Sequence, residues 1–183
     1  MVSILKTDKI QASHGSTINV TSGHKLSGAA GSIVVPGTIL QIVELGSAAD
    51  FSSSTKDSFV DTNYSLSITP QFSNSKILIQ STLVARVDGS GAIIRAGYRF
   101  VRRISGSDTV VSNSEGTKEH LQSRGSPGEL NVTIGYMYYD SPGTTNAVTY
   151  VLQGNMRSDT SASVFRQRAL TYGGSFILTE IAQ

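Results

Sequence analysis

Strict two-residue alternation runs through three stretches of the chain. Apolar Leu130, Val132, Ile134, Tyr136 and Tyr138 are spaced by Asn131, Thr133 and Gly135. Val148, Tyr150 and Leu152 repeat the pattern, as do Ile94, Ala96, Tyr98 and Phe100 against Arg95, Gly97 and Arg99. A side-chain period of two puts one face of an extended strand in a core and the other in water or against another subunit. Lys76–Val87 is more continuously apolar and reads as a central strand covered on both sides. Helical periodicity is nearly absent; Glu115–Arg124 has room for one turn at most, between Gly116 and Gly125.

Prolines punctuate the runs. Pro36-Gly37, Pro127-Gly128 and Pro142-Gly143 each precede a strand-like segment, Thr38–Leu45, Glu129–Asp140 and Asn146–Met156. Proline presets φ at the first corner of a type II turn and glycine takes the positive φ of the second. Pro70 ends Tyr64–Thr69, because it cannot donate to a ladder. About eight strands separated by turns, with no βαβ rhythm, predict an all-β chain: an antiparallel β-sandwich, of the jelly-roll kind.

Residues 1–35 differ from the rest. Alternation appears in Thr17-Ile18-Asn19-Val20, but Gly15, Gly23, Gly28 and Gly31 interrupt it and little apolar surface is left to bury. The expectation is an extended N-terminal arm over 1–35, ordered by a partner through Ile4, Leu5, Ile10, Ile18 and Val20, in front of a compact body over 36–183. Such an arm suits a subunit that plugs into an assembly better than it suits a catalyst.

Composition narrows the classes. The chain has 183 residues, 38% hydrophobic and 15% charged, enough for one self-sufficient core. A formal charge of +2 with no basic block gives no footprint for nucleic acid. The absence of cysteine removes disulfides, thiol catalysis and thiolate metal sites, and suits a protein made in a reducing cytoplasm. No apolar run approaches the roughly 18 residues of a membrane span, so no membrane insertion is expected.

The order of several short words carries a resemblance. Ile4-Leu5-Lys6-Thr7-Asp8-Lys9-Ile10-Gln11 opens the chain. Pro36-Gly37-Thr38-Ile39-Leu40-Gln41-Ile42-Val43, Ser67-Ile68-Thr69-Pro70 with Ser75-Lys76-Ile77-Leu78-Ile79, and Gly174-Ser175-Phe176-Ile177-Leu178-Thr179-Glu180-Ile181 follow in turn. This succession resembles tail-fibre-like appendage proteins of tailed-bacteriophage virions. It covers both ends and the first half of the body, and the middle matches nothing specific. The resemblance implies a jelly roll of the TNF/C1q-like type, which trimerises, a virion location after synthesis in the host cytoplasm, and other virion structural proteins as partners.

Candidate chemistry is thin. His14, His24 and His120 have no partner at i+4, so no zinc motif is present. Asp50, Asp57 and Asp61 lack the alternate oxygen ligands of a calcium loop and read as a polar loop. Gly28-Ala29-Ala30-Gly31-Ser32 lacks the Lys-Ser/Thr of a phosphate-binding loop, and no Gly-x-Ser-x-Gly elbow occurs. No catalytic residue, cofactor or metal is expected. Arg95, Arg99, Arg102 and Arg103 read either as an anion or polysaccharide groove or, more simply, as a wet strand face paired with acidic neighbours. Tyr136, Tyr138, Tyr139 and Tyr150 form the densest aromatic group, core in a monomer and boundary in a trimer, and Tyr98, Tyr136, Tyr138 and Tyr150 are assigned to a trimer interface. The long polar segments Ser105–Pro127 and Arg157–Gly173, with Arg124, Arg157, Arg166 and Arg168, are assigned to loops that contact a host surface, a glycan included. The function expected is a non-enzymatic, homotrimeric virion subunit; the alternatives are a capsid decoration (cement) protein and a carbohydrate-binding adhesin module.

Overall fold

The structure is a computed structural model that describes residue 22 and residues 33–89, 93–111, 121–124, 129–156, 162–167 and 174–183. The chain divides into two units, Met1–Val34 and Val35–Gln183, and the elements below belong to the second. The arm residues Ile4, Leu5, Ile10, Ile18 and Val20 lie outside the described residues.

The described residues form eleven strands: β1 (Ile39–Glu44), β2 (Phe51–Ser53), β3 (Val60–Ile68), β4 (Lys76–Gly89), β5 (Ile93–Ile104), β6 (Ser107–Val110), β7 (Leu121–Arg124), β8 (Glu129–Asp140), β9 (Val148–Met156), β10 (Ala162–Gln167) and β11 (Ser175–Ile181). Every ladder between them is antiparallel. One sheet has six strands. β4 is its spine: β8 pairs along one edge, while β11 and β10 share the other, with β1 outside β11 and β2 outside β10. The second sheet runs β3-β9-β5, with β6 and β7 sharing the far edge of β5. The chain crosses between sheets at β2 to β3, β3 to β4, β4 to β5, β7 to β8, β8 to β9 and β9 to β10, so most neighbours in each sheet come from distant sequence. This is the expected all-β jelly-roll sandwich.

Turn chemistry explains the corners. Gly37 has φ 89° and Thr38 N–H donates to the Val35 carbonyl at 3.0 Å, closing the Pro36-Gly37 turn into β1. Gly143 has φ 70° after Pro142, and Pro127-Gly128 lies outside the described residues. Ser105 (φ 50°) and Gly106 (φ 82°) join β5 to β6 in a two-residue hairpin. Positive φ at both corners is type I′ geometry, whose twist matches that of the flanking strands.

The core lies between the sheets. Ile77, Ile79, Leu83, Ala85 and Val87 of β4 face Ala96, Tyr98 and Phe100 of β5 and Tyr150, Leu152 and Met156 of β9. Aromatic rings tie the layers together. Phe100 meets Phe176 at 5.1 Å between centroids and Tyr136 edge-on at 5.3 Å, and Phe176 stacks on Tyr64 at 6.5 Å. Edge-to-face and offset pairs of this kind add to the burial term.

Two expectations need correction. Lys76–Val87 is not covered equally on both sides, because odd positions of β4 are buried while Leu78, Gln80, Thr82 and Val84 are only partly so. Apolar residues on the outward positions mimic the continuous pattern of a doubly covered strand. The polar segments 105–127 and 157–173 are not simply loops, since β6, β7 and β10 lie within them. Their backbones complete ladders with β5 and β4, and strands of four to six residues are too short to show a hydrophobic period.

Emptying the centre of the aromatic cluster should be costly. Phe176→Ala is expected to lower unfolding free energy by about 3–5 kcal/mol, measured from the denaturant midpoint at unchanged m-value.

Candidate assembly interface

The tyrosine group separates into two kinds. Tyr98 and Tyr150 are wholly buried between the sheets of one protomer. They offer no surface to a partner, so the sequence-based assignment of these two to a subunit boundary is corrected: they are core. Tyr136 and Tyr138 point the same way from β8 and are half-buried against that core. A period-two pattern identifies an apolar face without saying whether the covering layer belongs to the same chain.

The surface that remains open lies on the other side of the six-stranded sheet. Directly opposed residues in a ladder share a face. Tyr139 lies opposite Leu78, Met137 opposite Gln80 and Gly135 opposite Thr82. Thr179 pairs with Leu78 and Ile177 with Gln80, and Ile42 pairs with Thr179. The outer face thus carries a row Tyr139–Leu78–Thr179–Ile42 and a row Met137–Gln80–Ile177–Glu44. Met137 is 70% exposed, Tyr139 56%, Ile42 61% and Ile39 58%. Four large apolar side chains left in water on one regular face mark a contact surface. Two shallow depressions of about 350 and 370 Å³ open on this face and meet at Ser175 and Ile177. The second has Gly135 in its floor, where an added Cβ would find no heavy atom within 4 Å.

The outer face of the five-stranded sheet carries an internally paired polar network on either side of an apolar row, Val110–Val101–Val151. Arg103 donates from Nη1 to Asp61 at 2.9 Å and from Nε and Nη2 to Asp108 at 2.7 and 2.8 Å. Gln153 Nε2 donates to Asp61 at 2.8 Å and accepts from Arg99 Nε at 2.8 Å. The Arg99 guanidinium sits 4.0 Å from the Phe59 ring centroid. Burial pushes the Asp61 carboxyl up, but hydrogen bonds from Arg103 and Gln153 and the Arg103 charge outweigh it and leave it below its ordinary value. Of the two readings of the arginine run, the paired wet face accounts for Arg99 and Arg103. These contacts occupy the guanidinium groups that an anion groove would need.

Arg102 points the other way. Its Nη1 donates to both oxygens of Asp140 at 2.8 and 3.0 Å, and Tyr150 Oη donates to Asp140 Oδ2 at 2.7 Å. Asp140 ends β8 in one sheet, whereas Arg102 and Tyr150 belong to the other, so this nearly buried carboxylate ties the sheets together. Near the opposite edge of the six-stranded sheet, buried Glu180 accepts from Gln41 Nε2 at 2.6 Å and from the Gln71 amide at 2.7 Å, fixing the turn before β4.

The other sequence assignments scatter. Arg124 lies on β7 and Arg166 in the middle of β10, opposite Ser52 and Arg86, so neither is a loop residue. Arg157, Arg168, His14, His24 and His120 lie outside the described residues. Asp61 turns to Arg103 instead of joining Asp50 and Asp57. Among the described residues no three His, Cys, Asp or Glu side chains gather as a metal site, and no helix is long and apolar enough to cross a membrane. The outward Met137 was missed, and Tyr139 was grouped with the inward tyrosines, because they sit in one apolar run and only the β4–β8 register separates the two sides.

The fold and its surfaces define an antiparallel jelly-roll sandwich with one ion-paired face and one apolar face. No protein-family model and no curated protein matches the sequence. Among solved structures, it is similar to a structure of infectious bursal disease virus, Gx strain, at 14% identity and TM-score 0.44, over 76% of this chain and 32% of that one. A structure of the Gt strain of the same virus is similar at 11% identity and TM-score 0.39, over 87% and 42%. The VP2 subviral particle of that virus gives 12% identity and TM-score 0.36, over 78% and 37%. This chain therefore spans about a third of the length of the first of these.

Two pH limits follow from the paired groups. Asp61 is depressed in the fold, so its contribution is complete above the ordinary aspartate value of 3.8 and is lost as pH falls through the lower folded value. Asp61→Asn should flatten that part of the acid limb of a stability-against-pH curve. In alkali the sign reverses. Burial raises Tyr98, Tyr136 and Tyr150 above the ordinary value of 10.0, with the Asp140 charge adding to the effect at Tyr150. Stability should fall above about pH 10 as only the unfolded chain ionises, and absorbance near 295 nm should show these three ionising with unfolding and not before it. Asp140→Asn should cost about 3 kcal/mol by leaving Arg102 buried without its counter-charge, read by chemical denaturation.

Proposed function

We propose that this chain is a non-enzymatic structural subunit of a virion, a homotrimeric appendage protein whose N-terminal arm anchors it to other virion proteins. The observation that carries the reading is the open apolar face of the six-stranded sheet, with Met137, Tyr139, Ile42 and Ile39 in water. A protomer that works alone gains nothing from such a face, whereas an assembly subunit buries it. The resemblance of both ends and the first half of the body to phage tail-fibre-like proteins supports the same reading. So does the use of polar groups among the described residues: Asp140, Glu180, Arg102, Arg103 and Asp61 are held in structural contacts. Three copies on one fibre would turn weak contacts with a host surface, a glycan included, into useful avidity.

A capsid decoration role is the second reading, and the apolar face favours it equally if that face lies on a shell. The carbohydrate-binding reading loses support from the arginine run, since Arg99 and Arg103 already have partners.

Light scattering on the purified chain should return three times 19.4 kDa. Quantitative mass spectrometry of particles from the encoding virus should find it in a low multiple of three per particle. Absence from particles overturns the virion reading; copy numbers in the hundreds move it to the shell.

A further inference from the structure

We infer that the buried Glu180 carboxylate fastens the root of the arm, by locking β1, the strand into which residues 1–35 lead, onto the turn between β3 and β4. Tension on the arm then passes into the body of the sheet and does not peel β1 away. The inference rests on the anchoring role proposed above for the arm.

The ladder shows where a fastening is needed. Among the described residues β1 has one strand neighbour, β11, and their pairing slips at the end nearest the arm. Ile39 pairs with Ile181 and Gln41 with Glu180, so Leu40 is an extra residue in β1. Such a bulge interrupts a ladder, and it lies where the arm would pull first. On the arm side of it, Gly37 N–H donates to the Ala182 carbonyl at 2.8 Å and Ala182 N–H to the Thr38 carbonyl at 2.9 Å. A strand peeled from its end breaks bonds like these one at a time.

The turn supplies the other half of the join. The chain leaves β3 at Ile68 and Pro70 has no N–H to donate, so the backbone groups on either side of Pro70 need partners outside a ladder. Glu180 follows Phe176 and Leu178 on the inward side of β11 and is fully buried. Its Oε1 accepts from Gln71 N–H at 2.7 Å and from Phe72 N–H at 3.4 Å, and its Oε2 from Gln41 Nε2 at 2.6 Å. Gln41 Nε2 also donates to the Thr69 carbonyl at 2.7 Å, and Asn74 Nδ2 donates to the Gln183 carbonyl at 3.0 Å. One carboxylate thus joins β1, β11 and the 69–75 turn immediately after the bulge. Hydrogen bonds to an ionised acceptor are about twice as strong as neutral ones, and burial keeps water from competing for them. A leucine at 180 would extend the apolar side of β11 without the desolvation cost of a buried acid. What the acid adds is the join.

The test uses the full chain. Glu180→Gln keeps the shape but turns one acceptor oxygen into an amide that faces donors. Gln41→Ala removes the β1 half of the join from a partly exposed position, and it carries the test if the first variant fails to fold. In each folded variant, hydrogen exchange read by mass spectrometry should quicken roughly ten- to a hundredfold in peptides covering 37–44 and 69–75, while β5 and β9 hold within about twofold. Equal quickening across all strands, the mark of a merely destabilising substitution, overturns the fastening. So does unchanged exchange at 37–44 in the Gln41→Ala variant. Virus particles carrying Gln41→Ala should shed the subunit under shear sooner than wild-type particles. Quickened exchange at 37–44 with unchanged shedding leaves the fastening standing and overturns the arm as the anchor.

Discussion

The Asp140 carboxylate is the constraint on which the arrangement turns. It ends β8 in one sheet and accepts hydrogen bonds from Arg102 and Tyr150 in the other, so the two layers are locked at one end by a group that water scarcely reaches. A buried charge is tolerable only when fully paired. Asp140 therefore sets where β8 stops and how it lies over β5 and β9. The β4–β8 ladder runs in unbroken register from Ile77–Asp140 to Asp88–Glu129, and that register decides which side chains of β8 face inward.

From the register follows the contrast between the two outer faces. On the five-stranded sheet, Arg99, Gln153, Asp61, Arg103 and Asp108 form a chain of hydrogen bonds across β9, β3, β5 and β6. The two arginines and two aspartates of that network balance in charge. On the six-stranded sheet the outward residues are Met137, Tyr139, Leu78, Ile177 and Ile42, with threonine and glutamine between them, and among the described residues Met137, Tyr139 and Ile42 stand exposed. The proposed function therefore rests on the exposed apolar residues of one face and not on a pocket with reactive groups.

Much of this fold could be read along the chain. Period-two runs located β5, β8 and β9, the Pro-Gly pairs marked the entries to β1 and β9, and Lys76–Val87 marked the spine. All of these signals are local, because proline, glycine and alternating apolar residues act on their own few φ and ψ angles and on their own strand. What escaped were the strands without such a signal. β2, β6, β7 and β10 are short, and they form by pairing with β10, β5 and β4.

The sequence by itself determined that this is an all-β chain with alternating apolar faces, no thiol chemistry and a distinct first 35 residues. Tertiary structure alone decided which tyrosines are core and which residues are surface. Tyr98 and Tyr150 vanished into the interior, while Met137 and Tyr139, one residue along from the half-buried Tyr136 and Tyr138, were left in water. The physical reason is that alternation gives a strand two faces but does not name the layer packed on each. That layer is supplied by strands tens of residues away, through register and a buried carboxylate that no local pattern encodes.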